Sequence, residues 1–176
     1  MTKKQQKIWD EKIKYVGTLT DKLGLHVDKG IRETVAIFHL FNINTTASHE
    51  GKMHRYPVPY IDVQAPGAGV LMAKFRKLKE SAPEGKNILN QVLRKNLAER
   101  KKVIPLIEEF YANRKMPYEI RLGINSFPSG WSRVQSLGAD FQDIEKNVKL
   151  KKQRLLQFQK EMRAFTEFLK RKYFNN

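Results

Sequence analysis

The last quarter of the chain sets the tightest limit on its fold. Phe141, Val148, Leu155, Met162 and Leu169 stand seven residues apart, with Ile144, Phe158 and Phe165 on the adjoining seam and Lys151 and Lys172 interrupting it. This repeat predicts one amphipathic helix of about 30 residues whose apolar stripe must be covered. Asp140 stands where its N-cap belongs. Two covers are open: a second copy, giving a homodimer through residues 141–172, or the chain's own sheet. Lysines on the seam and Phe side chains too bulky for ideal knobs favour the sheet.

Upstream, the apolar period switches repeatedly. Ile8, Ile13, Val16, Leu19 and Leu23 predict a helix over 3–23 that stops at Gly24. Asp28 is placed to cap a second helix carrying Ile31, Val35, Phe38 and His39. Residues 43–48 alternate as a half-buried strand, and 58–63 as a short edge strand because Pro57 and Pro59 cannot donate to a ladder. After the turn QAPGAG, a helix is expected over 70–80 and another from Ile88, kinked or divided at Pro105. Residues 118–124 alternate as a strand, 127–131 turn, and 131–137 return. The reading is a single α+β domain over 1–176: a small sheet of about four strands, flanked by helices and closed by the long C-terminal one.

Charge narrows the partners. The 176 residues carry 34 Lys and Arg against 18 Asp and Glu, net +16. The excess is uneven: twelve basic against five acidic residues in 69–116 and ten against five in 139–176, but four against four in 25–68. A field of this sign attracts polyanions, and each phosphate contact releases counterions. Lys74, Arg76, Lys77 and Lys79 form one cluster, and Lys149, Lys151, Lys152 and Arg154 a second. These are the expected contacts to DNA or RNA; otherwise they are solvated helix faces. No apolar run approaches the ~20 residues of a membrane helix, so no membrane partner is expected. The N-terminal MTKKQQKIWDEKIKYVG has no apolar signal core, and there is no cysteine. Disulfides, thiolate metal sites and a Cys nucleophile are excluded, and a cytoplasmic location is expected.

The one polar loop among Pro and Gly is INTTASHEGKMHRYPVPYIDV, residues 43–63. His49, Glu50, His54 and Asp62 are the candidate catalytic groups, for metal-dependent or acid–base hydrolysis. The spacing is H-E-x-x-x-H, which puts the two histidines about 140° apart on a helix and on opposite faces of a strand. Only a turn at Gly51 would join them, and a metal is not expected. His49 with Glu50 or Asp62 is the alternative acid–base pair, beside Ser48, with Arg55, Tyr56 and Tyr60 as phosphate or ring contacts. Trp131 is placed to stack a base or to anchor its hairpin. Phosphate-loop, dinucleotide and kinase signatures are absent, and the question of a cofactor stays open.

Ser48-His49-Glu50-Gly51-Lys52, followed by Tyr56-Pro57 and Tyr60-Ile61-Asp62, resembles uncharacterised bacterial and phage-type proteins with a Ser-Cys-Glu-Gly-His segment before an aromatic-Pro strand. The resemblance covers residues 31–63, with His49 in place of Cys and Lys52 in place of His. It implies no activity. The leading expectation is a basic nucleic-acid-associated protein with a polar pocket between His49 and Asp62.

Overall fold

A computed structural model describes residues 1–21, 24–78, 83–128 and 130–175, and of Asp143 the backbone only. Leu23 and Lys79 therefore lie outside the described residues. In chain order the elements are α1 (Lys3–Thr18), a 3-10 turn (Lys29–Ile31), α2 (Arg32–Leu40), β1 (Thr45–His49), β2 (Tyr60–Val63), α3 (Ala68–Phe75), α4 (Pro83–Tyr111), β3 (Leu122–Phe127), β4 (Trp131–Ser136), α5 (Ala139–Ile144) and α6 (Val148–Asn175). The four strands form one antiparallel sheet in the order β1-β2-β4-β3. The fold is α+β, as the alternating periods require.

One face of the sheet is apolar. Ile61 and Val63 of β2, Val134 of β4 and Leu122 of β3 are buried with Val35 and Phe38 of α2, Val103 and Phe110 of α4, and Met162 and Phe165 of α6. Phe165 sits edge-on to Phe38 at 6.3 Å and tilts against Phe110 at 5.2 Å. The seven-residue seam is thus spent inside the chain from Leu155 to Leu169. Both residues are buried, as are Phe158, Met162 and Phe165. Filling such a position with an aromatic rather than a methyl is worth about 3–5 kcal/mol.

The start of that seam departs from the expected continuous helix. Phe141, Ile144 and Val148 are 57, 72 and 69% exposed, because the helix is broken at 145–147. Asn147 explains the break: its Oδ1 accepts from the amides of Lys149 and Leu150 at 3.0 and 3.2 Å, starting α6 afresh. Asp140 lies within the first turn of α5 and is not the cap.

Other boundaries move for equally local reasons. α1 ends at Thr18, where Leu19 is extended and the Thr18 hydroxyl donates to the carbonyl of Tyr15. Residues 118–121 form a turn rather than strand, since the amides of Ile120 and Arg121 both donate to the Pro117 carbonyl. β1 begins two residues late because the Ile43 amide is drawn back to the Phe38 carbonyl, at 2.9 Å. β2 is confined to 60–63 and is an interior strand, not an edge one: it starts past both prolines, so every residue in it can donate, and it pairs with β1 on one side and β4 on the other. α4 runs through Pro105 as one 29-residue helix.

Replacing Asn147 with Ala should cost about 1 kcal/mol of unfolding free energy, through the lost cap. Asp140→Ala should stay within about 0.5 kcal/mol. Urea unfolding of both variants checks this, and equal losses would refute the capping assignment.

Candidate functional site

The β1–β2 connection is held from three sides. Gly51 turns the chain at φ +80°, a conformation that L side chains rarely adopt. A Cβ there would stand 2.8 Å from Leu155 and 2.9 Å from the Pro59 nitrogen. Beyond it the Lys52 amide donates to the Tyr56 carbonyl at 2.9 Å, closing a tight turn. From α6, Gln159 Nε2 donates to the carbonyls of Glu50 and Gly51 at 3.2 and 3.1 Å.

Those restraints place a knot of charge at the end of β1. Lys52 Nζ lies 2.7 Å from Asp28 Oδ1 and 3.1 Å from Glu50 Oε1. Glu50 Oε2 accepts from the Gly30 amide at 2.6 Å, and the Glu50 amide faces Asp28 Oδ2 at 3.4 Å. Glu50 is therefore a strut between the loop and segment 28–30. Burial works against ionising Asp28, but the Lys52 ammonium and the Glu50 amide outweigh it and hold the carboxyl below its usual range. Asp28 was legible in the sequence only as a helix cap; its side chain makes no capping bond.

His49 closes the knot. Its Nδ1 accepts from the Gly51 amide at 3.0 Å, so the neutral ring carries its proton on Nε2, 3.9 Å from Asp28 Oδ2. Burial pushes the imidazole below its ordinary value; Asp28 pulls the other way, and Lys52 adds to the lowering. The carboxylate beside His49 is thus Asp28, not Glu50 or Asp62. Both ring nitrogens are turned to protein groups.

The four expected catalytic residues do not converge. His54 is exposed on the turn after Gly51. Asp62, paired in the strand register with Arg133, binds its guanidinium at 2.7 and 3.0 Å on the face of the sheet away from the core. Among the described residues no group of three or more His, Asp or Glu side chains is arranged to hold a metal.

That outer face carries rings. Arg133 lies 3.6 Å over the Tyr60 ring, 5.0 Å from Trp131, 5.4 Å from Tyr56 and 5.8 Å from Phe127. Phe127 and Trp131 stack at 3.9 Å and 13°. Tyr60 stacks on His49 at 5.9 Å and 17°, extending the row to β1. All four aromatic rings are half-buried. Burial opposes the Arg133 charge, yet the bonds to Asp62 prevail and raise its affinity for the proton. Beyond His49, a cleft of about 410 Å³ opens between β1 and residues 19–21 and 25–28, with Thr46, Ser48, Arg55 and Tyr60 on its walls.

No protein-family model, curated protein or solved structure matches the chain. No described helix is long and apolar enough to cross a membrane.

Lys79 aside, the basic clusters lie on and just past α3 and in the first turns of α6, segments that meet opposite ends of the β2–β4 pair. At the Val63–Ser132 end, the space beside Gly130 is filled by Val92 and Asn96 of α4 and Met72 of α3, the helix that carries Lys74. Arg76 and Lys77 are exposed just past it, and Lys74 pairs with Glu84 at 2.7 Å. At the Tyr60–Gln135 end, Gln142 Nε2 donates to the carbonyls of Pro57 and Lys151, tying the start of α6 to the loop. There Lys149 and Lys152 are exposed, and Arg154 pairs with Glu145 at 3.1 Å.

Because His49 is less basic in the folded chain than its unfolded value of 6.5, the unfolded state binds the extra proton first. Its contribution to stability is complete above that value and is lost as pH falls through the folded one. His39, lowered by burial and by Lys12, acts in the same sense. Stability should therefore decline from pH 7 to 5, and less steeply in His49→Asn, which keeps an acceptor for Gly51. Denaturation midpoints across that range check it; an unchanged slope in the variant would contradict the placement of the ring.

Proposed function

We propose that this chain binds single-stranded nucleic acid on the outer face of its sheet. The observation that carries the reading is the row of rings around Arg133, with Phe127 and Trp131 at one end and Tyr60 and His49 at the other. A sheet face bearing half-buried rings offers π surfaces to bases that are already unstacked, at about 1–3 kcal/mol per base. A duplex keeps its bases stacked and presents phosphates to such a face, so single strands are favoured. The exposed Arg76, Lys77, Lys149 and Lys152 flank the strand pair and supply the phosphate contacts. The hydrolytic reading gains no support from His49, whose ring nitrogens face Gly51 and Asp28. The location that goes with this function is the cytoplasm, where such strands are available.

Fluorescence anisotropy with a labelled 12-nucleotide oligomer tests the proposal. Affinity should fall steeply between ~50 and ~200 mM salt. Trp131→Ala and Tyr60→Ala should each weaken binding by about 10- to 100-fold at fixed salt. Arg76→Ala with Lys77→Ala should reduce the salt slope. Lack of binding at ~50 mM salt, or equal affinity for duplex and single strand in wild type and both ring variants, would overturn it.

A further inference from the structure

We infer that the cleft beyond β1 is a nucleotide site that takes one nucleoside monophosphate unit; as a pocket for a strand, it rests on the reading above. Its volume of about 410 Å³ lies within the range of small-ligand pockets. Its place gives the first argument. The ring row on the sheet ends in His49, stacked on Tyr60, and both side chains line the cleft. A strand laid along the rings reaches this opening at the sheet edge.

The walls give the second argument, since they divide as a nucleotide does. Leu19 and Leu25 supply apolar surface for a base, next to the Tyr60 and His49 rings. Hydroxyls of Thr46 and Ser48 offer both donors and acceptors to a sugar or a base edge. The exposed Arg55 stands at the wall, and a guanidinium is the side-chain group best suited to phosphate. Two carboxylates, Asp21 and Asp28, also line the cleft; Lys52, shared between Asp28 at 2.7 Å and Glu50 at 3.1 Å, offsets part of that charge, so the phosphate belongs at the Arg55 side of the opening.

Free mononucleotide and strand terminus share this chemistry, and two probes separate them. Adenosine 5′-monophosphate is titrated against amide NMR signals of the wild type, Ala47→Trp and Arg55→Ala; the labelled 12-mer is titrated in parallel. Ala47 lines the cleft, so a Trp there fills it. Saturable shifts are expected at residues 26–28 and 45–49, abolished in Ala47→Trp and about tenfold weaker in Arg55→Ala. Arg55→Ala, at an exposed position, guards against misfolding of the larger substitution. Trp131→Ala should leave the mononucleotide shifts intact while weakening the oligomer. Oligomer binding without mononucleotide shifts at 45–49 overturns the cleft assignment and leaves the sheet-face reading standing. Mononucleotide shifts without oligomer binding support the cleft as a free-nucleotide site and overturn the strand reading. Shifts that persist undiminished in both Ala47→Trp and Arg55→Ala place the nucleotide elsewhere and sink the inference.

Discussion

Helix α6 is the member against which the rest of the molecule is fixed. Its Phe158, Met162, Phe165 and Leu169 are buried to 2% exposure or less. The same helix reaches polar partners on either side. Gln159 binds the backbone of the β1–β2 loop, while the fully buried Glu161 accepts from the Tyr111 hydroxyl at 2.8 Å and from Arg114. The Tyr111 oxygen in turn accepts from the Leu122 amide at 2.7 Å, linking α6 through α4 to β3. A buried carboxylate with three donors is satisfied, and breaking that set would leave an uncompensated charge. One helix therefore couples the apolar core to both the loop and the far edge of the sheet.

Periodicity made the architecture readable, and capping made its boundaries hard to read. Alternation in 131–137 and the seam in 155–169 correspond to β4 and to the buried stripe of α6, because burial on one side leaves a periodic trace. The break at 145–147 left no such trace: Phe141, Ile144 and Val148 keep the apolar spacing although their side chains face solvent. The competing signal was a single Asn whose carbonyl oxygen meets two amides. Likewise, Pro117 accepts two turn bonds and cancels an alternation that begins at Tyr118. Local hydrogen bonding overrode pattern in both places.

The site was legible as a location and illegible as a constellation. His49 and Glu50 do lie at one structured turn, and Gly51 is the residue that makes it. Their partner Asp28 is more than twenty positions upstream, and its role as a strut partner of Lys52 depends on how the 3-10 turn meets β1. No spacing rule connects residues across that contact. Asp62 carries a different lesson. Its alternation placed it on a strand, but only the register, Asp62 opposite Arg133, shows that its carboxylate is committed to a guanidinium. Arg133 was the residue sequence reasoning missed, although it sits between Trp131 and Gln135 in a run with period two, where its shared face with Trp131 was available to be read.

The commitment of Arg133 bears on what the outer face can recognise. A guanidinium presents two kinds of surface: an edge of N–H donors and a flat cationic face. Here the edge is taken by both oxygens of Asp62, and only 15% of the side chain remains exposed. Phosphate would have to displace a bidentate carboxylate to reach those donors, whereas the flat face is already in use against Tyr60. The pair therefore acts as a rigid floor that fixes ring positions at no loss of rotamer freedom on binding. Affinity on the face would come from π surface, and the anionic backbone would be met by the exposed lysines and arginines at its margins. In the proposed single-strand complex, separating the two tasks in space would make base stacking insensitive to salt and phosphate contact sensitive to it. That division follows from one ion pair being placed in the middle of the sheet rather than at its rim.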